Sequence, residues 1–448
     1  MKNSKTTFMI ICLILWLCVN FVYSQTPVRQ TLHNYLKALH TQNGFSGEIL
    51  VAQKEQIIFQ QAIGLSSREL GVALKPNQKY RIASITKTFT GALLVLAQRA
   101  GKLKLNDKVC KYIPALSSKF KNITLRHLLK HTSGLPHYEG IKNYWLQKSK
   151  YLSKPEAIIA EINQLTLYFK PGSNMKYTSL GYYLLAKVLE NVHKAKYATI
   201  LKDQILKPLK MTHSGVESSL AIVPNLVNGY HQLTDDQVIK SPYRNYAILK
   251  GAGDMYSSVN DLLVWSQSFL NNDLLTSQEQ QQIFEQDKYG YGWFIGKSQL
   301  QHYYHGGGTW GYSSYLAFYP KKQVSIIVLA NVSTLPVKET GKFIAQILFN
   351  RLTKIPVLQT QTQHEFDPML YTGVFKSDSG KVTLKITTKN AKLYAQVANR
   401  PGFQIYSKGV HQFFGKKVAV TFSFELENRQ VTGLTTQRMG KVFHFKKQ

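Results

Sequence analysis

One feature most constrains how this chain can fold. In the region before residue 355, strand-like segments lie near both ends and helix-like segments lie between them. Apolar residues flank Lys54-Glu55 as the two strands of a hairpin flank their turn, and residues 315–319 and 324–330 predict two further adjacent strands. The intervening patterns predict helices at residues 84–100, 124–130, 155–165, 179–192, 258–270 and 338–352. We therefore expect an α+β domain with one sheet assembled from both ends and a helical insertion.

The pattern changes at residues 355–365, which are polar, show no helical period and predict a linker. Beyond the linker, apolar and polar residues alternate, as in residues 382–386. Asn390 and Asn428 lie where turns between such strands are expected. Residues 366–448 should therefore form a separate all-β domain, a small antiparallel barrel or sandwich.

The N-terminal segment has the pattern of a signal peptide, because Lys2 and Lys5 precede an apolar run from Phe8 to Val22. As a helix this run would cover roughly 22 Å, less than the ~30 Å of a bilayer core, which favours a cleaved segment over an anchor. No later stretch is apolar enough to cross a membrane. The sequence thus predicts a signal peptide at residues 1–24 and a secreted or periplasmic protein whose first domain spans residues 25–354.

The formal net charge of +32 is large enough to suggest nucleic-acid binding. However, the lysines are scattered along the chain, and it has no zinc-finger spacing, aromatic RNA-binding motif or basic helix. For an exported protein, we expect this charge to attract anionic polymers of the cell envelope, and we expect no nucleic-acid partner. His302 and His305 are three residues apart with no acidic residue beside them, so we expect neither a metal nor another cofactor.

Ser84-Ile85-Thr86-Lys87 is the main candidate for catalytic chemistry. It lies where an extended segment turns into a predicted helix, so both side chains lie on one helix face, about 5–6 Å apart at Cβ. The helix N-terminus favours negative charge on the serine oxygen, and a buried amine can accept the serine proton. The same Ser-x-x-Lys spacing occurs at Ser118 and Ser173 in loop-like sequence, and a capping serine beside a surface lysine explains the motif equally well.

Two further segments carry candidate site residues. Tyr177 stands just ahead of a predicted helix, with Ser179 two residues later. The run His305-Gly306-Gly307-Gly308 precedes the strand predicted at residue 315, and consecutive glycines let a substrate approach backbone donors closely. Each signal is weak by itself, because the chain has 26 tyrosines and His213-Ser214-Gly215 also fits His-x-Gly.

Taken together, in this order and spacing, these motifs resemble the serine β-lactamase and penicillin-binding-protein superfamily. The nearest branch in pattern is that of class C β-lactamases, D-alanyl-D-alanine carboxypeptidases and family VIII esterases, over about residues 44–352. The supporting segments are Tyr80-Arg-Ile-Ala-Ser-Ile-Thr-Lys-Thr-Phe-Thr-Gly91, Ile123-Thr-Leu-Arg-His-Leu-Leu-Lys-His-Thr-Ser-Gly-Leu-Pro136, Gly251-Ala-Gly-Asp-Met-Tyr-Ser-Ser258 and Tyr289-Gly-Tyr-Gly-Trp293. The resemblance implies an antiparallel sheet flanked by helices, with residues 366–448 as an accessory β-domain.

The resemblance also implies roles for the candidate residues. Ser84 would be acylated, while Lys87 and Tyr177 would share the base role. Tyr177 would then pass a proton to the leaving group and later activate water. The backbone N–H groups of Ser84 and Gly308 would form an oxyanion hole. The remaining candidates would bind the substrate: Ser179, His305, Gly306 and Gly307.

Two residues depart from the family pattern. Ser179 stands where the family often has Asn, so an amide contact to the substrate becomes one hydroxyl. His305 stands where β-lactamases usually have Lys, and an unshifted imidazole with a pKa of about 6.5 is mostly neutral at pH 7. Both changes weaken recognition of a carboxylate, so uncharged short esters should turn over faster than penicillins or D-alanyl peptides. Turnover of these last two should improve at mildly acidic pH if His305 becomes charged.

The sequence therefore predicts an exported hydrolase that forms an acyl-enzyme on Ser84 and cleaves amide or ester bonds. D-amino-acid peptides, including fragments of peptidoglycan, β-lactams and small esters all remain open as substrates. The alternative is a protein that binds cell-wall fragments or β-lactams with little or no turnover. A third interpretation is a polymer-binding role that rests on charge alone.

Overall fold

The structure is a computed structural model. It describes residues 27–151, 154–217, 221–232, 237–284, 288–297, 300–333, 336–350, 366–378, 380, 382–398, 402–415, 420–438 and 441–448. The predicted signal peptide at residues 1–24 and the predicted linker at residues 355–365 lie outside the described residues. The domain boundaries proposed at these segments therefore stay predictions.

Strands from both ends of the first domain meet in one sheet. In chain order the strands are β1 (Gly47–Gln53), β2 (Gln56–Ile63), β3 (Leu65–Ser67), β4 (Val72–Ala73), β5 (Tyr80–Arg81), β6 (Gly215–Val216), β7 (Tyr230–Gln232), β8 (Val238–Lys240), β9 (Met255–Ser257), β10 (Phe294–Lys297), β11 (Gln301–Thr309), β12 (Tyr312–Tyr319) and β13 (Val324–Ala330). Among the described residues, six of these form an antiparallel sheet in the order β10-β11-β12-β13-β1-β2. Because Ile49 on β1 pairs with Val328 on β13, the prediction of one sheet built from both ends is confirmed.

The helices follow the predicted pattern closely. They are α1 (residues 27–43), α2 (Thr86–Arg99), α3 (Val109–Tyr112), α4 (Leu125–Leu129), α5 (Ser149–Tyr151), α6 (Pro155–Gln164), α7 (Ser179–His193), α8 (Tyr197–Leu201), α9 (Val259–Asn271), α10 (Ser277–Phe284) and α11 (Val337–Leu348). Most of them lie between β5 and β9, which confirms the helical insertion. The sequence patterns did not predict several elements, among them the helices α1, α3, α5, α8 and α10 and the strands β10 and β11.

Different helices cover the two faces of the sheet, because successive residues of a strand point to opposite sides. Leu50 and Ile327 face the large core that they share with α2, α7 and α9. Their neighbours Ile49 and Val328 face a second core that they share with α1 and α11. The helical insertion therefore lies on the face of the sheet opposite α1 and α11.

The C-terminal residues form a closed barrel. Its strands are β14 (Gly373–Ser377), β15 (Thr383–Lys389), β16 (Lys392–Val397), β17 (Phe403–Gly409), β18 (Gln412–Gly415), β19 (Val420–Glu427), β20 (Gln430–Arg438) and β21 (Lys441–Lys447). In the part of this region that is described, each strand pairs with the next, and β14 closes the barrel by pairing with β21. The predicted turns at Asn390 and Asn428 are confirmed, and each begins a pair of residues with positive φ, as tight hairpins require.

No helix in the described ranges combines the length and the apolar composition that crossing a bilayer requires.

Candidate active site

A strained turn carries Ser84 at the start of α2. Ala83, directly before it, has a φ of +47°, which costs a residue with a side chain about 1–3 kcal/mol. Neighbouring elements hold this turn: the Ile82 N–H donates to the Met255 carbonyl at 3.0 Å, and Ser314 Oγ donates to the Ile82 carbonyl at 2.7 Å. The strain is thus maintained by contacts from β9 and β12, which keep the serine at the helix start.

Helix α2 brings Lys87 to Ser84, because residues three apart lie on the same helix face. The Lys87 Nζ atom is 3.0 Å from Ser84 Oγ, 3.2 Å from Ser179 Oγ and 2.6 Å from the Ala252 carbonyl. Lys87 has no exposed surface. The arrangement therefore excludes the surface-lysine interpretation of this Ser-x-x-Lys motif.

The other two Ser-x-x-Lys motifs have a different environment. Ser118 and Lys121 are both exposed, and so are Ser173 and Lys176. These pairs therefore lack the buried amine that the Ser84 motif has.

Burial lowers the pKa of Lys87 well below its ordinary value, and the nearby Asp254 carboxyl opposes this shift. Burial in turn raises the pKa of Asp254 to about 7. The three contacts of Lys87 fit a neutral amine. Its two N–H groups can donate to Ala252 and Ser179, and its lone pair then faces the Ser84 hydroxyl.

Tyr177 lies directly before α7, and His131 holds the backbone on both sides of it. The Lys176 N–H donates to the His131 carbonyl at 2.9 Å, and the Thr178 N–H donates to His131 Nδ1 at 3.2 Å. The His131 ring also packs on the Tyr177 ring, with 4.3 Å between centroids. This histidine therefore determines where the tyrosine hydroxyl can lie.

Tyr177 interacts with the Ser84 side chain, which opposes the effect of burial on the pKa of the tyrosine hydroxyl. Burial raises the pKa of Tyr177, so its hydroxyl is protonated in the resting protein. The pKa values of Lys87 and Tyr177 thus move in opposite directions, and both groups are uncharged beside the serine.

Ser179 lies inside this cluster. Its hydroxyl contacts Lys87 Nζ at 3.2 Å and His137 Nε2 at 3.1 Å, and the residue is 4% exposed. The sequence interpretation assigned this hydroxyl to the substrate. In the structure it contacts the lysine and a histidine, which occupy two of the three hydrogen-bonding sites of one hydroxyl.

The glycines of the run 305–308 lie on the strand β11, not in a loop. A Cβ on Gly307 would lie 2.2 Å from the Ile82 carbonyl oxygen, so only glycine allows β11 to lie against the turn before Ser84. Gly306 follows the same strand and pairs with Tyr315. Gly308 is exposed, and the space where its Cβ would lie is open. A substrate can therefore approach the backbone of Gly308.

His305 is 1% exposed, and both ring nitrogens have partners within the protein. Nδ1 lies 2.6 Å from the Gly306 carbonyl, which only accepts, so Nδ1 carries the proton. Nε2 then accepts from the Tyr289 hydroxyl at 3.1 Å. Burial, and secondly the nearby Lys87, lower the pKa of His305 to about 3. The expectation that it becomes charged at mildly acidic pH is therefore wrong.

Several residues of this region were missed by the sequence interpretation. His131 and Asp254 lie inside segments that supported the family resemblance, and His137 directly follows one of them, so their positions were a usable signal. Arg244 had no such signal. Its Nη1 donates to Thr309 Oγ1 at 3.4 Å, and its guanidinium lies over the rings of Tyr138, Tyr144 and Trp310.

No cluster of three or more histidine, cysteine, aspartate or glutamate side chains arranged to hold a metal ion occurs within the described ranges. Ser84, Lys87 and Tyr177 are the groups of this arrangement that can carry chemistry. A serine hydroxyl beside a neutral amine and a protonated phenol can form and break an acyl bond by proton transfer.

Comparisons with known proteins agree with this geometry. Residues 32–349 match the family model described as Beta-lactamase. Penicillin-binding protein 4* of Bacillus subtilis is 26% identical over 426 residues, which cover 89% of this chain and 94% of that protein. The octameric penicillin-binding protein homologue from Pyrococcus abyssi superposes with a TM-score of 0.65 at 20% identity, over 93% of this chain and 99% of that chain. The D-amino acid amidase from Ochrobactrum anthropi superposes with a TM-score of 0.64 at 18% identity, over 73% and 99%.

Proposed function

Since the chain belongs to the Beta-lactamase family, we propose that it is a serine hydrolase that cleaves amide or ester bonds through an acyl-enzyme on Ser84. The observation that carries this proposal is the buried amine of Lys87, 3.0 Å from Ser84 Oγ. An amine without its proton is the base that a serine hydroxyl needs in order to become a nucleophile.

In the acylation step, Ser84 Oγ attacks the substrate carbonyl and Lys87 takes the serine proton. Lys87 rather than Tyr177 is the first base, because burial favours the neutral form of both groups. A neutral amine accepts a proton, whereas a neutral phenol has first to give one up.

When the tetrahedral intermediate collapses, the leaving group needs a proton. Tyr177, which lies beside Ser84 and Lys87, supplies it and recovers a proton from the Lys87 ammonium. Water then attacks the acyl-enzyme, and Tyr177 takes one proton from it while passing its own proton to the neutral Lys87 amine. Ser84 Oγ then leaves with the proton that the Lys87 ammonium gives back. The resting state is restored with no net change in protonation.

The negative oxygen of each tetrahedral intermediate would be held by the backbone N–H groups of Ser84 and Gly308. Support for this assignment comes from the close packing of Gly307 on Ile82 and from the open space beside Gly308. One donor of this kind contributes roughly 3–4 kcal/mol to stabilising the transition state in comparable sites.

Small substrates without a carboxylate fit this cleft best. Gly306, Gly307 and Gly308 offer only backbone groups, and His305 stays neutral with its nitrogens occupied. Arg244 is a permanent cation near β11, but it is 4% exposed and lies among aromatic rings. We therefore expect uncharged esters and D-amino acid amides to react faster than penicillins; the structural similarity to a D-amino acid amidase supports including the amides.

Export and attraction to anionic envelope polymers are further parts of the proposal. They are supported by the basic and apolar pattern of residues 1–24 and by the net charge of +32.

The direct test is to incubate the mature protein with a fluorophosphonate and a fluorescent penicillin and to map the labelled residue. We expect the label on Ser84. Turnover of p-nitrophenyl butyrate, a D-amino acid amide and nitrocefin then ranks the substrates by kcat/KM. Labelling at another serine would refute the proposed nucleophile, and labelling without turnover would favour the binding-protein alternative.

A further inference from the structure

The Ser179 hydroxyl joins Lys87 to a histidine that no motif of the sequence identified. Lys87 Nζ and His137 Nε2 lie 3.2 and 3.1 Å from Ser179 Oγ. Because Lys87 can donate an N–H to this oxygen, the serine proton is free to point to the imidazole nitrogen. With the imidazole proton on Nδ1, the three groups form one directed chain, from the Lys87 N–H through the Ser179 O–H to His137 Nε2.

The direction of this chain matters for Ser84. A buried hydroxyl proton takes any acceptor in reach, since leaving it unpaired costs free energy. Among the described residues, the other group that contacts the Ser179 hydroxyl is Lys87, whose lone pair can accept the serine proton when His137 is removed. That lone pair is the one that has to accept the proton of Ser84. A hydroxyl turned toward the amine would therefore compete with the nucleophile.

We propose that His137 is a positioning residue, which holds the Ser179 hydroxyl so that the Lys87 lone pair stays directed at Ser84. This inference rests on the proposed function and extends it by one residue. Ser179 and His137 together then do what an asparagine could do alone at position 179, since an amide carries both an acceptor for the amine and donors of its own.

Packing alone is the competing explanation, because the His137 ring lies against the Tyr138 ring with 3.7 Å between centroids. His137→Phe keeps a ring there and removes the nitrogen, whereas His137→Gln can place an amide atom near the position of Nε2. A matched control is His193→Phe, also a half-buried histidine. It ends the 15-residue helix that Ser179 begins, roughly 21 Å away.

The readout is the rate of acylation by a fluorophosphonate probe and by p-nitrophenyl butyrate, measured in the full chain. We expect His137→Phe to slow acylation about 10- to 100-fold, the usual effect of losing a hydrogen bond to an ionisable group. His137→Gln should recover most of the rate, and His193→Phe should react like the wild type. In a Ser179→Ala background, His137→Phe should have little further effect. In a Ser179→Asn background, His137→Phe should not slow acylation further, because the asparagine amide supplies the contacts by itself.

The pH dependence of acylation in His137→Phe distinguishes a positioning role of His137 from a general disruption of the site. The charged and titratable groups facing Lys87 and His137 are Asp254, Arg244, Tyr138, Tyr177, Tyr182, His131 and His305. In His137→Phe, a Ser179 hydroxyl that donates to the amine stabilises its neutral form, so the acid limb of the profile should move to lower pH. A disrupted site would admit water and return Lys87 toward its ordinary pKa, which moves the acid limb to higher pH.

The inference is overturned if His137→Phe reacts at the wild-type rate or if His137→Gln is as slow as His137→Phe. It is also overturned if the effects of His137→Phe and Ser179→Ala add, or if His137→Phe slows acylation as much in the Ser179→Asn background as in the wild type. An acid limb that moves to higher pH in His137→Phe overturns it as well. Failure of the proposed function would look different, because the wild type itself would then carry no label on Ser84.

Discussion

The central sheet and the C-terminal barrel are both antiparallel, but their strands are brought together differently. In the barrel every strand pairs with its neighbour in the chain, apart from the closing pair of β14 and β21. In the sheet, β1 pairs with β13 across most of the first domain, as the contact between Ile49 and Val328 shows. The barrel can therefore be built largely from local hairpins, whereas the sheet forms only when distant segments meet.

The cores of the two regions also differ in the polar side chains that they bury. The first domain buries ionisable groups deeply: Glu48, Lys87, His131, Arg244, Asp254 and His305. Among the described residues of the barrel, the buried polar side chains are the uncharged Gln404, Ser407 and Thr436. Burying a charge is costly unless partners or a pKa shift compensate, so chains keep such groups where they are used. The groups that the proposed chemistry uses therefore lie in the first domain.

Ser84→Ala most directly tests whether the first domain carries the chemistry. We expect turnover and covalent labelling to fall at least ~10⁴-fold, because no other group replaces an activated nucleophile. The melting temperature should change little, since one half-buried hydroxyl contributes little to packing. Persistent labelling, measured by mass spectrometry, would place the nucleophile elsewhere.

Lys87→Met contrasts the buried lysine with an exposed one. Acylation should slow by about 10²–10⁴-fold, the range for loss of a general base. The melting temperature should not fall, because methionine fills the space of the stem and removes a polar group that burial penalises. The matched control is Lys385→Met on β15, an exposed lysine of the barrel, which should leave both quantities unchanged. If Lys87→Met and Lys385→Met slowed acylation equally, the proposed difference between the two domains would be wrong.

The pH dependence sharpens the assignment of the buried base. Acylation needs neutral Lys87, so its rate should rise with pH through the lowered pKa of this group and then level off. Below that pKa the rate should fall about tenfold per pH unit. Since the pKa of His305 is about 3, this residue stays neutral from pH 5.5 to 8.5 and gives no gain at the acidic end. Faster nitrocefin turnover at pH 5.5 than at pH 8 would contradict this.

The smallest expected effect belongs to removal of the barrel. A chain that ends at Leu358 should melt cooperatively and label on Ser84 at close to the wild-type rate. The reason is that Phe375, Leu384, Phe422 and their neighbours form a core cluster made only of barrel residues. An insoluble truncation, or one without a cooperative melt, would show that the two regions depend on one another for folding.

Much of the fold was predictable because its signals are local. Period-two alternation identified β15, β16 and β19, and helical periodicity identified α2, α7 and α9. The strand β11 was missed because its three glycines remove the alternation that identifies a strand. A glycine run has no side chains to pattern, and here it follows from the close approach of Gly307 to Ile82, a contact between distant segments.

Only those residues of the candidate site that belong to recognisable sequence motifs were predictable. The spacing of Ser84 and Lys87 is a local property of a helix, and Tyr177 has a recognisable position ahead of another. The roles of His305 and Ser179 were interpreted as if both side chains faced the substrate. Whether they do depends on their burial and partners, such as Tyr289 and His137, which come from other parts of the chain.

The sequence by itself determined that strands from both ends enclose a helical insertion, the helical spacing of Ser84 and Lys87, and the change to a period-two domain after residue 365. These follow from short-range rules of backbone geometry and side-chain direction. Only the tertiary structure decided the protonation of the site. The pKa of Lys87 depends on its complete burial and on Asp254, and Ser179 contacts both Lys87 and His137. Such properties are set by everything packed around a group, and packing joins residues that are far apart in the chain.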